Sequence, residues 1–141
     1  MTKLLKLAGV SAMLYLAFAI PAPAQINNSV NFTTTFPFYA GNTKLPAGSY
    51  KISPAAFDNT VLMIESATGG HSAFIEYTPT QAEAGHKTTD VGFKKFGTTD
   101  FLNTIWVGGQ QFGMQLQTSK YEQSLAKGGA PTAHSVSAKG Q

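Results

Sequence analysis

Glu83-Ala84-Gly85-His86, with Asp90 four residues further on, is the stretch of this 141-residue chain that comes nearest to a metal-binding pattern. A Glu and a His three apart on a helix project to one side, and di-metal carboxylate proteins use that spacing with further carboxylates from other helices. Here Gly85 interrupts a polar run from Thr78 to Asp90, so the pair falls in a loop that fixes no ligand geometry. Glu83, His86 and Asp90 are weak metal candidates, and no cofactor is expected. Of the other histidines, His71 sits beside Gly69-Gly70 in a turn, and His134 belongs to a Gly-, Ala- and Ser-rich tail.

Other chemistries find less. A serine hydrolase needs a nucleophile, a base and an orienting acid brought together, and no Gly-x-Ser-x-Gly elbow occurs. The chain has no cysteine, which removes thiol catalysis. Glu65 and Glu76 fall on neighbouring predicted strands and offer a carboxylate pair of the kind glycosidases use, but outward polar alternation assigns them to solvent. The glycine pairs lack the Lys-Ser/Thr and helix of a phosphate loop. A non-catalytic protein is expected. All ten basic residues are lysines. Arginine, the side chain best shaped to grip phosphate through paired hydrogen bonds, is absent, which argues against a nucleic-acid partner.

The elements that would position any site begin after a targeting segment. Lys3 and Lys6 precede an apolar run from Leu7 to Ile20, then Pro21-Ala22-Pro23-Ala24. This is the pattern of a signal peptide, residues 1–24, cleaved after Ala24. The run is shorter than the roughly 20 apolar residues of a spanning helix, so no membrane span is expected after cleavage. Export to the periplasm or the extracellular space follows, with an envelope or extracellular partner.

Residues 25–127 read as one all-β domain, an antiparallel sandwich or small barrel of about seven short strands. Val30, Phe32, Thr34 and Phe36 alternate with polar residues, as do Tyr50 and Ile52. Residues 61–66 and 72–78 flank a Gly-Gly turn, and residues 91–96 and 101–107 flank a short polar turn at Gly97 to Asp100. Phe112, Met114 and Leu116 face one way. Both sides of Phe101–Val107 are largely apolar, which predicts a central strand with Trp106 in the core. Ser119 and Glu122 form a capping box for one short helix ending near Gly128. Residues 128–141 lack periodicity and read as a disordered tail.

"FPFYAGNTKLPAGSYKI" (36–52) is the most distinctive stretch. Leu45-Pro46-Ala47-Gly48 has the chemistry of a β-turn, with Pro presetting its second position and Gly its fourth. Everything in it is explained by strand, reversal, strand. The functional alternative has Phe36, Phe38 and Tyr39 rimming a surface contact site, since exposed aromatic clusters mark binding patches. Two functions remain open: a binding or structural domain acting through its surface, and a carrier of a small apolar ligand inside a barrel.

The "FPF", "LPAGSYKI", "FLNTIWVGG" and "LQTSKYEQSLAK" segments resemble a group of small exported proteins common in acidobacterial genomes. The resemblance spans roughly residues 30 to 127 and rests on turn and core positions. It implies export and a β-rich fold, and it carries over no catalytic residue, cofactor or partner.

Overall fold

The structure, a computed structural model, describes residues 29–81 and 87–140. The expected signal peptide and the loop positions Glu83 and His86 lie outside these residues.

Ten strands and one helix follow in the order β1 (Val30–Thr34), β2 (Phe38–Ala40), β3 (Thr43–Leu45), β4 (Gly48–Ala55), β5 (Asp58–Ser66), β6 (Ser72–Gln81), β7 (Asp90–Phe96), β8 (Thr99–Trp106), β9 (Phe112–Leu116), α1 (Lys120–Ala126) and β10 (Thr132–Gly140). The sheet runs β3-β2-β8-β7-β10-β1-β4-β5-β6-β9, and β9 pairs again with β8. That last pairing, Thr104 opposite Gln115 and Ile105 opposite Met114, closes eight strands into an antiparallel barrel and leaves β2 and β3 outside the ring. Closure removes the unpaired edges that make open sheets aggregate. Between the sandwich and the barrel left open by the sequence, the molecule is a barrel.

Strand alternation fills the interior. On β4, Tyr50 and Ile52 point inward while Lys51 stays exposed. Val30 and Phe32 of β1, Ile64 of β5, Val91 and Phe93 of β7, Ile105 of β8 and Met114 of β9 join them in one buried cluster. Pro54 sits at the irregularity of the β4–β5 ladder, where a missing N–H costs least.

The 36–52 stretch supplies a plug. β1 and β4 are antiparallel neighbours, with Thr34 opposite Gly48, so the chain does reverse between two strands as expected. The intervening residues form the hairpin β2–β3, turning at Gly41, whose φ of +61° favours glycine. The hairpin attaches to β8 by a parallel pairing, Tyr39 opposite Phe101. Its Phe38, Ala40 and Leu45 are each 1% exposed and belong to the barrel's own core. Phe38 lies 5.9 Å from Phe32, 5.2 Å from Tyr50 and 5.5 Å from Phe93, ring centre to ring centre. These tilted and edge-on contacts suit the aromatic quadrupole. At the end of the plug, the Tyr50 hydroxyl donates to the Pro46 carbonyl at 2.5 Å and fixes the turn back into β4.

Two expectations are corrected. The tail is not disordered: Thr132–Gly140 is β10, seated between β1 and β7. Local composition carries little strand signal, and the ladders on both sides supply the order instead. Trp106 is not in the core: Ile105 takes the inward position, so Trp106 lies on the outer face against Gly113 of β9. A Cβ at Gly113 would come within 2.4 Å of the indole, so only glycine lets that ring lie flat. The helix forms as its capping box predicts, with the Ser119 hydroxyl accepting from the Glu122 N–H at 3.1 Å. It docks through Tyr121 on the outer side of β8, 5.6 Å from Phe101.

Candidate functional site

The same alternation that fills the barrel leaves an anomaly on β6. Ala73, Phe74 and Ile75 are consecutive apolar residues, and a pleated strand can turn only alternate ones inward. Ala73 and Ile75 are buried, so Phe74 is forced out and stays 55% exposed. Phe57, in the tight β4–β5 turn, is 71% exposed and stands 5.3 Å from Phe74 with the rings tilted by 59°.

These two rings border an open groove of about 610 Å³ on the outside of the barrel. Its floor is Val61 and Ile75, and Glu76 follows Phe74 on the outward face of β6. Asn42 and Thr43 come from the tip of the plug hairpin, Gln117 from the link between β9 and α1, and Lys120 from the first turn of α1. A backbone bond from the Gln117 N–H to the Glu76 carbonyl, 3.0 Å, holds that link against β6. The side chains of Asn42, Glu76, Gln117 and Lys120 have no hydrogen-bond or ion-pair partner among the described residues. The groove therefore joins exposed ring faces to free donors and acceptors, with one acid against one base.

A second cluster lies at the plugged end of the barrel. His134 of β10 is opposite Phe93, so it shares the inward face. Its Nε2 meets Asp100 Oδ1 at 2.5 Å, while its ring stacks on Phe93 at 5.5 Å and meets the edge of Phe36 at 5.1 Å. Asp100 is 4% exposed. An imidazole bonded to a buried carboxylate is two-thirds of a nucleophile-activating set, yet among the described residues no hydroxyl is bonded to His134. The pair spans β10 to β8 across β7, which makes it a fastening between strands.

The residues singled out from the sequence are dispersed by the fold. Phe38 is buried in the plug, Phe36 packs against Phe93 and His134, and Tyr39 stacks on Phe101 at 5.3 Å. The expected rim is thus consumed by packing, because the hairpin pairs with β8 and turns Phe38 into the barrel core. Leu45 to Gly48 links β3 to β4 through a bend at Ala47. Of the metal candidates only Asp90 is described, at the start of β7 opposite Trp106. Glu65 pairs with Lys51 at 3.8 Å and lies opposite Ser72, whereas Glu76 lies opposite Val61, four rungs away. Four rungs is roughly 13 Å along a strand, too far for joint action on one bond. The groove and the His134–Asp100 pair were both missed. The Ala73-Phe74-Ile75 run was the available signal for the groove, and the short alternation of His134, Val136 and Ala138 with Ser135, Ser137 and Lys139 was the one for β10.

The fold and groove together define a closed β-barrel with an inserted plug hairpin and an amphipathic outer surface. Comparison with protein-family models, curated proteins and solved structures finds no match. Among the described residues no helix is long and apolar enough to cross a membrane.

Proposed function

We propose that the chain is an exported, non-catalytic binding domain of the cell envelope or extracellular space, and that Phe57 and Phe74 form its contact surface. The observation that carries this reading is the pair itself. Burying a Phe side chain is worth about 1.5–3 kcal/mol, and this chain packs Phe32, Phe38, Phe93 and Phe101 to 4% exposure or less while leaving Phe57 and Phe74 in water. A rigid closed barrel is a suitable platform, because the rings need no rearrangement to meet a partner. The leader-like start of the sequence supports export.

The test compares the purified chain with a Phe57→Ser/Phe74→Ser variant for binding to lipid, polysaccharide and protein fractions of the cell envelope. Expected is binding to one fraction that the variant loses at unchanged melting temperature. Equal binding by both proteins removes this surface from consideration.

The carrier reading keeps one specific support, the plug. Phe38, Ala40 and Leu45 occupy barrel space on a hairpin whose ladder to the ring is a single parallel pairing. An apolar ligand would take their place. Native mass spectrometry after gentle extraction distinguishes the readings: copurified lipid favours the carrier, and a bare chain mass favours the surface.

A further inference from the structure

We infer that the outer groove takes a neutral glycan chain, with sugar rings lying on Phe57 and Phe74 and their hydroxyls bonded by Asn42, Glu76, Gln117 and Lys120. This rests on the surface reading above and names its ligand class. Two phenyl faces carry negative quadrupoles in water, and the C–H groups on one side of a pyranose ring are the weakly positive, flat, apolar partner such faces accept. Beside those faces stand a carboxylate, two amides and an ammonium with no protein partner among the described residues. Carboxylate accepts only, ammonium donates only, and amides do both. That mixture matches a ligand whose every hydroxyl both donates and accepts.

Competing ligand classes fit less well. An anionic polymer or nucleic acid would want an excess of base, and here Glu76 offsets Lys120. An acyl chain or membrane surface would leave four polar side chains desolvated without partners. A peptide added as a strand needs an open edge. β5 is paired on both sides; β6 pairs with β5 over Ser72–Glu76 and with β9 over Tyr77–Gln81, so beside the groove it offers at most the short stretch Ser72–Ile75, and the edge strand β3 is only three residues long. The rings' tilt of 59° also suits successive sugar units that are not coplanar.

The experiment is affinity electrophoresis of the purified chain in native gels containing neutral β-glucan, α-glucan, mannan or xylan, with polygalacturonate as the anionic comparison. Parallel sedimentation uses phosphatidylcholine vesicles, and a fluorescent unfolded-peptide mixture supplies the third arm. Expected is retardation by at least one neutral polysaccharide, weakened about tenfold or more in Kd by Phe74→Ser and also weakened by Gln117→Ala and Glu76→Ala, at unchanged melting temperature. No retardation by any neutral polysaccharide overturns the glycan assignment. Retardation that survives Phe57→Ser/Phe74→Ser places the glycan elsewhere and overturns the site. Binding confined to vesicles, peptide or polygalacturonate, but lost in the double variant, overturns the ligand class while leaving the surface reading standing.

Discussion

Phe38→Ala separates a plug from a surface loop. Phe38 is 1% exposed and touches Phe32, Tyr50 and Phe93. Truncating a fully buried Phe costs about 3–5 kcal/mol, from lost transfer energy and from the cavity left behind. Phe57→Ala is the internal control, because its ring is 71% exposed and exposed substitutions usually stay within about 0.5 kcal/mol. In urea, with a slope of about 2 kcal/mol per M, the Phe38 variant should lose about 2 M in midpoint at unchanged slope, and the Phe57 variant almost nothing. Should Phe38→Ala fail to fold, Phe38→Leu keeps most of the volume and should cost about 1–1.5 kcal/mol. Equal costs for Phe38→Ala and Phe57→Ala would refute the reasoning, since the hairpin would then lie outside the barrel.

Three other outcomes follow from the structure. Deleting residues 132–141 removes β10 and leaves β1 and β7 each with one open edge, so near-ultraviolet dichroism and cooperative melting should both be lost, whereas removal of an unstructured tail would change neither. His134→Ala leaves the buried Asp100 carboxylate without its partner and should cost about 1–3 kcal/mol by denaturant titration. The double variant with Asp100→Ala should cost less than the sum of the singles, and simple additivity would show the pair to be uncoupled. Burial raises the Glu122 carboxyl above its ordinary value, with Lys94 partly opposing the shift. A raised folded-state pKa gives stability that is full below the unfolded value of about 4.3 and lost as pH rises through the folded value. Glu122→Gln should therefore be more stable than the parent at about pH 7, with the gap closing toward about pH 4. A gap independent of pH would contradict that account.

What the sequence makes legible here is periodic or punctuated. The alternation of Tyr50 and Ile52, the Gly-Gly turn before β6 and the Ser119/Glu122 cap all act within a few residues, and each is found where its local chemistry predicts. What stays illegible is decided across the sheet. β10 carries only a weak alternation, with His134, Val136 and Ala138 half-buried between Ser135, Ser137 and Lys139, and it is a strand because β1 and β7 each offer it a ladder. Phe36, Phe38 and Tyr39 offer a surface cluster as the alternative reading because sequence does not say that their hairpin pairs with β8 and turns Phe38 into the core. Trp106 points outward because the neighbouring Ile105 takes the inward place, and Gly113 marks where the indole rests. For the groove, the clue was an excess of apolar residues on β6, but its polar half comes from Asn42, Gln117 and Lys120, distant in sequence. The His134–Asp100 pair joins residues 34 positions apart and could not be read before β10 was placed.

β10 also governs the order of events in a chain's life. The first barrel strand is zipped to the last, with Val30 opposite Gly140. A polypeptide delivered from its amino end by the ribosome holds β1 and β7 half-paired until β10 arrives. The ring thus shuts only once β10 is made, and a molecule interrupted before Thr132 keeps an open edge on each of those strands.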